Sequence, residues 1–136
     1  MSTHEQIRRR QFLAGAGGLG AALLVRSAGH WFPRSGDIDG VRLAGLLEST
    51  ESAGAVGAEY LRVVPAENTA DVLTARLIGG LPAERATLRR ATDGELRQVL
   101  AVSAREDFLA GRTIELDGWV VSLTEARLCA ITARCT

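Results

Sequence analysis

Leu116-Asp117-Gly118-Trp119-Val120-Val121-Ser122-Leu123-Thr124-Glu125 is where the chain changes its period. Asp-Gly accepts the two positive φ angles of a type I′ turn, so it joins two short strands through a two-residue loop. Leu116 then faces Trp119 and Ile114 faces Val121, which sets all four side chains on one side of the hairpin. A lone hairpin is marginal in water, so that apolar face must meet helices or a partner. Ser122-Leu123-Thr124-Glu125 follows at once as a capping box. It launches a final helix with Leu123, Ala126, Leu128, Ala130 and Ile131 available for burial.

Upstream, the periodic segments are helical. Gly40 to Glu48, capped by Asp39, offers Val41, Leu43, Leu46 and Leu47. Ser52 is the expected cap of a second helix carrying Val56, Tyr60, Val63 and Val64 at i, i+4, i+7 and i+8, and Pro65 ends it. Asn68 is the expected cap of a third, with Asp71 in its first turn, Val72, Leu73, Leu77 and Ile78 facing inward, and Gly79-Gly80 as its stop. Pro82 suits a first helical position, although Ala83 to Ala91 is polar. Thr92-Asp93-Gly94-Glu95 is a further capping box and opens the longest helix, with Leu96, Val99, Leu100 and Ala104 on its core side and an end near Gly111. The fold class expected is mainly α: about five short helices, with one small β-hairpin around Asp117-Gly118 before the C-terminal helix.

At the other end of the chain, Arg8-Arg9-Arg10-Gln11-Phe12-Leu13 precedes an uncharged run that closes at Val25. Phe12 to Val25 is 14 residues, short of the roughly 20 that a bilayer-spanning helix needs. Four glycines (Gly15, Gly17, Gly18, Gly20) weaken its hydrophobicity, and Arg26 follows directly. A basic start, a short apolar middle and a small-residue cleavage site make a secretory signal. Paired arginines before x-Phe-Leu resemble the twin-arginine (Tat) class, whose translocase carries folded cargo; Arg9, Arg10, Phe12 and Leu13 are its candidate residues. The competing reading, a basic arm before a core helix, is disfavoured because each interior glycine costs about 1 kcal/mol against alanine. Gly15-Ala16-Gly17-Gly18-Leu19-Gly20 also matches G-x-G-x-x-G, but the βαβ context that gives the motif meaning is missing. Ser27-Ala28-Gly29 is the best cleavage candidate, with a retained anchor as the alternative. The division expected is thus a signal over 1–29, a linker over 30–39 and a small helical domain over 40–136. Trp31 and Phe32 in the linker either tuck under that domain or tether it to a membrane surface.

Composition narrows the function classes. Of the 16 basic residues, Arg8, Arg9, Arg10 and Arg26 lie in the signal, and of the 16 acidic ones only Glu5 does. That leaves 12 against 15, a net charge of −3. Scattered charge of that sign makes no basic patch for nucleic acid. His30 and His4 are the only histidines, and His4 falls inside the signal, so an N-terminal copper site is rejected. Cys129 and Cys135 lie six positions apart, about 9 Å along a helix and beyond the bridging limit of about 7 Å. The expectation is a buried Cys129 and a frayed, exposed Cys135.

No catalytic constellation stands out. Glu106-Asp107 and the pair Glu115 and Asp117 are the only carboxylate clusters, and solvated surface is the expected fate of both. Ser122 and Thr124 have no histidine to activate them. The sequence calls for no cofactor and no metal. Ile114, Leu116, Trp119 and Val121 remain as candidate partner-binding residues, with Trp119 as the anchor type most enriched in binding hot spots.

The signal, the small helical domain and the lack of a site resemble the small subunits of periplasmic flavoprotein dehydrogenases acting on gluconate, sorbitol and fructose. That resemblance implies a non-catalytic escort that carries the export signal for a larger cofactor-containing oxidoreductase subunit and stabilises it. The location implied is periplasmic, with membrane contact only through the signal segment. The rival expectation is a free-standing exported binding or structural domain, with the hairpin face in its own core. An enzyme built around Glu106, Asp107 and Arg112 is the third.

Overall fold

A computed structural model describes residues 38–136 of the chain. Arg9, Arg10, Phe12, Leu13 and the whole expected signal lie outside the described residues, as do Trp31 and Phe32. The described part is mainly helical with one small antiparallel hairpin, as the sequence predicts. Six helices are described: α1 (Gly40–Ala44), α2 (Thr50–Val63), α3 (Ala70–Gly79), α4 (Arg85–Arg90), α5 (Asp93–Ala110) and α6 (Leu123–Cys135). Strands β1 (Thr113–Leu116) and β2 (Trp119–Ser122) lie between α5 and α6. Folded structure already includes Ile38, which is buried in the core, and Asp39, whose carboxylate accepts the Arg42 amide at 2.8 Å.

Helix α6 is the axle. It packs against α1, α2, α3, α5 and both strands. From Thr124 to Thr132 every residue is buried except Arg127, which is half-buried and ion-paired. The sequence offers Leu123, Ala126, Leu128, Ala130 and Ile131 for burial, yet a helix surrounded on all sides needs an apolar or internally satisfied circumference. Small residues make this feasible: Ala126, Cys129 and Ala130 admit close neighbours. The closest is α2, where an ideal Cβ on Gly57 would overlap the Cys129 carbonyl and stand 2.8 Å from Cα of Ala130. Ala53, Gly57 and Tyr60 are the buried face of α2.

Several helix starts differ from the sequence expectation. Ser49, not Ser52, caps α2: its backbone is extended and its hydroxyl accepts the Ser52 amide. Thr69, not Asn68, caps α3 by accepting the Val72 amide at 3.2 Å. In both cases a second capping-type residue sits close to the true one, and only tertiary packing decides between them. Pro82 stays outside α4, whose N-cap is Glu84 with no side-chain cap bond. Helix α1 stops at Ala44, though Leu46 and Leu47 are still buried in the turn that follows. Val41, Val63 and Val72, assigned to inner faces by period, are exposed. Each belongs to a helix whose buried face the other residues already fill.

The α5 N-terminus is as predicted. Glu95 N–H donates to Thr92 Oγ1 at 3.2 Å, and the Thr92 amide donates to Glu95 Oε2 at 2.7 Å. That backbone donor, followed by the Thr92 hydroxyl, holds the Glu95 carboxyl below its ordinary range. Gly111 ends α5 in the left-handed region with φ 73°, where glycine carries no Cβ penalty. Asp117 (φ 47°) and Gly118 (φ 80°) then make the two-residue turn. The register is the expected one, Ile114 opposite Val121 and Leu116 opposite Trp119.

Cys129 is buried and its thiol is pushed upward in pKa by burial and then by the Glu125 charge. Cys135 is not frayed: α6 continues through it, and it is half-buried beside Gly40. Both thiols are free.

Candidate functional site

A groove of about 580 Å³ opens between α2 and the hairpin. Ala55, Val56 and Ala58 form one wall, and Leu116, Trp119 and Val121 form the other. Glu59, Arg62 and Asp117 supply its charges. The hairpin reaches this position because α6 begins one residue after β2 ends, so burying α6 fixes the sheet beside α2. Leu116 and Val121 are each buried to within 2% and are shared between the core and the groove floor. Trp119, cross-strand from Leu116, is 37% exposed and stands at the mouth.

The electrostatics of the rim are local. Arg62 and Glu59 pair one turn apart on α2, with both carboxylate oxygens engaged by the guanidinium. The Arg62 guanidinium holds the Glu59 carboxyl below its ordinary value; Glu59, with a smaller contribution from Asp117, raises that of Arg62. An i, i+3 pair of this kind on an exposed surface contributes little to stability. Apolar area, not charge, dominates what the groove can bind. Its volume falls within the roughly 300–1,000 Å³ range of ligand sites.

The four hairpin residues chosen from sequence therefore divide. Leu116, Trp119 and Val121 line the groove, whereas Ile114 packs half-buried against the core and does not line it. The α2 wall is not among the sequence candidates: Val56 reads as a core residue, and Glu59 and Arg62 carry no motif. The i, i+3 spacing of Glu59 and Arg62 was a visible signal of a rigid polar edge.

Two buried polar clusters lie outside the groove. Asp107 is 4% exposed, which corrects the expectation that the Glu106-Asp107 pair is solvated; Glu106 alone is exposed. Asp107 Oδ2 accepts the Thr124 amide at 2.8 Å and the Thr124 hydroxyl at 2.7 Å. Its Oδ1 accepts Arg112 Nε at 2.8 Å. Ser103 Oγ lies 2.9 Å from Thr124 Oγ1 and completes the set. Thr124 is in the first turn of α6, where amides lack intrahelical partners and a carboxylate is favoured by the helix dipole. Ser122 Oγ, accepting Glu125 N–H at 3.0 Å, satisfies a second such donor. Asp107 thus fastens the end of α5 to the start of α6.

Glu67 centres the other cluster. Its Oε2 accepts Tyr60 Oη at 2.7 Å and Arg127 Nε at 3.0 Å, while Oε1 accepts Arg127 Nη2 at 3.0 Å. Arg76 stands 3.9 Å from Oε1. The Arg127 bonds, despite opposing desolvation, hold the Glu67 carboxyl below its ordinary range. Burial, reinforced by the Glu67 hydrogen bond, pushes Tyr60 up to about 12. Desolvation alone would lower Arg127, but Glu67 and Tyr60 together more than offset it and the net shift is upward. Arg42 makes a third polar tie, donating from Nε to Asp93 Oδ1 at 3.1 Å and from Nη2 to the Ala91 carbonyl at 2.7 Å.

Among the described residues no group of three or more His, Cys, Asp or Glu could hold a metal ion, and no helix is long and apolar enough to cross a membrane. Comparison with protein-family models, with curated proteins and with solved structures finds no match to the chain.

Proposed function

We propose that the chain is an exported, non-catalytic accessory protein: the small escort subunit of a larger periplasmic oxidoreductase, holding an apolar segment of that partner in the groove beside Trp119. The observation that supports docking is the groove itself, an apolar cleft with a tryptophan at its mouth. Alongside it, the buried carboxylates Asp107 and Glu67 accept hydrogen bonds on both oxygens from the protein's own donors. Carboxylates so engaged serve the fold, and a general acid or base needs an oxygen within reach of a substrate. The escort role and the twin-arginine route rest on the sequence of residues 8–25.

Cell fractionation tests this reading. With Arg9→Lys and Arg10→Lys together, the chain and a co-expressed oxidoreductase partner are both expected to remain in the cytoplasm. Export of the partner unaffected by that change overturns the escort role.

A free-standing exported binding domain is the second reading, favoured by the burial of Leu116 and Val121 in the chain's own core. Size-exclusion of residues 30–136 with a hydrophobic dye separates the two. Self-association and dye binding that Trp119→Ser abolishes favour the subunit; a dye-silent monomer favours the free-standing domain.

A further inference from the structure

We draw no further inference here: the strongest candidate, the apolar groove between α2 and the β1–β2 hairpin, belongs to the site already described, and nothing in the structure shows which chemical class of occupant covers it.

Discussion

Gly57 of α2 lies directly against the main-chain carbonyl of Cys129 in α6, with no room between them for a β-carbon. Backbone, not a flexible side-chain end, occupies that space, so Gly57→Ala must drive the two helices apart. Overpacking of this kind typically costs about 1–3 kcal/mol and occasionally more, and the expectation here is the upper end or beyond. Gly54, one turn earlier, has nothing within 4 Å of its ideal Cβ. Gly54→Ala should therefore gain up to about 1 kcal/mol from helix propensity alone. Thermal unfolding followed by circular dichroism reads both. Equal effects of the two substitutions would show that α2 and α6 are not in backbone contact.

Asp107→Ala removes one acceptor from three donors: the Thr124 amide, the Thr124 hydroxyl and Arg112. Stranding buried donors costs about 1–3 kcal/mol for each group, more where a charge is involved. A loss of roughly 2–5 kcal/mol is expected from the two buried Thr124 donors, to which the more exposed Arg112 adds little. Asp107→Asn keeps one acceptor for the Thr124 amide and should lose less. Arg112→Ala should cost least, since its side chain is largely exposed and such pairs contribute little. Denaturant titration orders the three variants, and Arg112→Ala as the worst of them would contradict the geometry.

This cluster also marks the boundary of what the sequence discloses. The capping box at Thr92, the Asp117-Gly118 turn and the register of Leu116 with Trp119 are local, set by residues within a few positions of one another. Asp107 and Thr124 are 17 positions apart, and Glu67 and Arg127 are 60 apart. Nothing in the spacing of either pair distinguishes a buried acceptor from a solvated acid. The same limit applies to the groove: its hairpin wall was legible from the period-two pattern, whereas Ala55, Val56 and Ala58 become a wall only once α2 lies against α6. Choosing Ser49 over Ser52, or Thr69 over Asn68, likewise depends on which helix face the core takes up.

Tyr60 gives a pH signature at the alkaline end. Its value rises from the ordinary 10 to about 12 in the folded protein, so the folded state holds this proton more tightly. The associated stability is fully present below pH 10, then lost as pH climbs from 10 towards 12. A shift of that size corresponds to roughly 2–3 kcal/mol over the window. Tyr60→Phe should flatten that limb of the stability profile. Glu67 acts in the opposite direction: its folded value is depressed, so its contribution is present above the ordinary 4.5 and lost as pH falls through the folded value. Glu67→Gln should flatten the acid limb. Stability measured across pH in each variant checks both signs.

Thr74 Oγ1 is buried and lacks a hydrogen-bond partner among the described residues. Valine has nearly the same shape without the hydroxyl, so Thr74→Val removes a desolvated polar atom and keeps the packing. The expected outcome is a gain of up to about 1–3 kcal/mol, the penalty carried by an unsatisfied group. A clear loss of stability on chemical denaturation would mean that the hydroxyl has a partner.

Leu116 and Trp119 face one another across the hairpin, and the groove reading assigns them different tasks. Leu116 is 2% exposed and belongs to the core. Leu116→Ala should destabilise the isolated domain by about 2–5 kcal/mol, as core truncations of leucine do. Trp119 has a larger side chain, but 37% of it stays in contact with solvent, so its burial is incomplete without a partner. Trp119→Ala is therefore expected to cost the isolated domain less than Leu116→Ala. In a complex with the proposed partner, the order should reverse: truncating an interfacial tryptophan commonly costs about 2 kcal/mol or more, roughly thirtyfold or more in affinity. Unfolding of the free domain and calorimetric titration of the complex measure the two halves separately. If Trp119→Ala proves the more damaging change to the free domain and leaves binding intact, the tryptophan is a core residue and the groove is not the docking face.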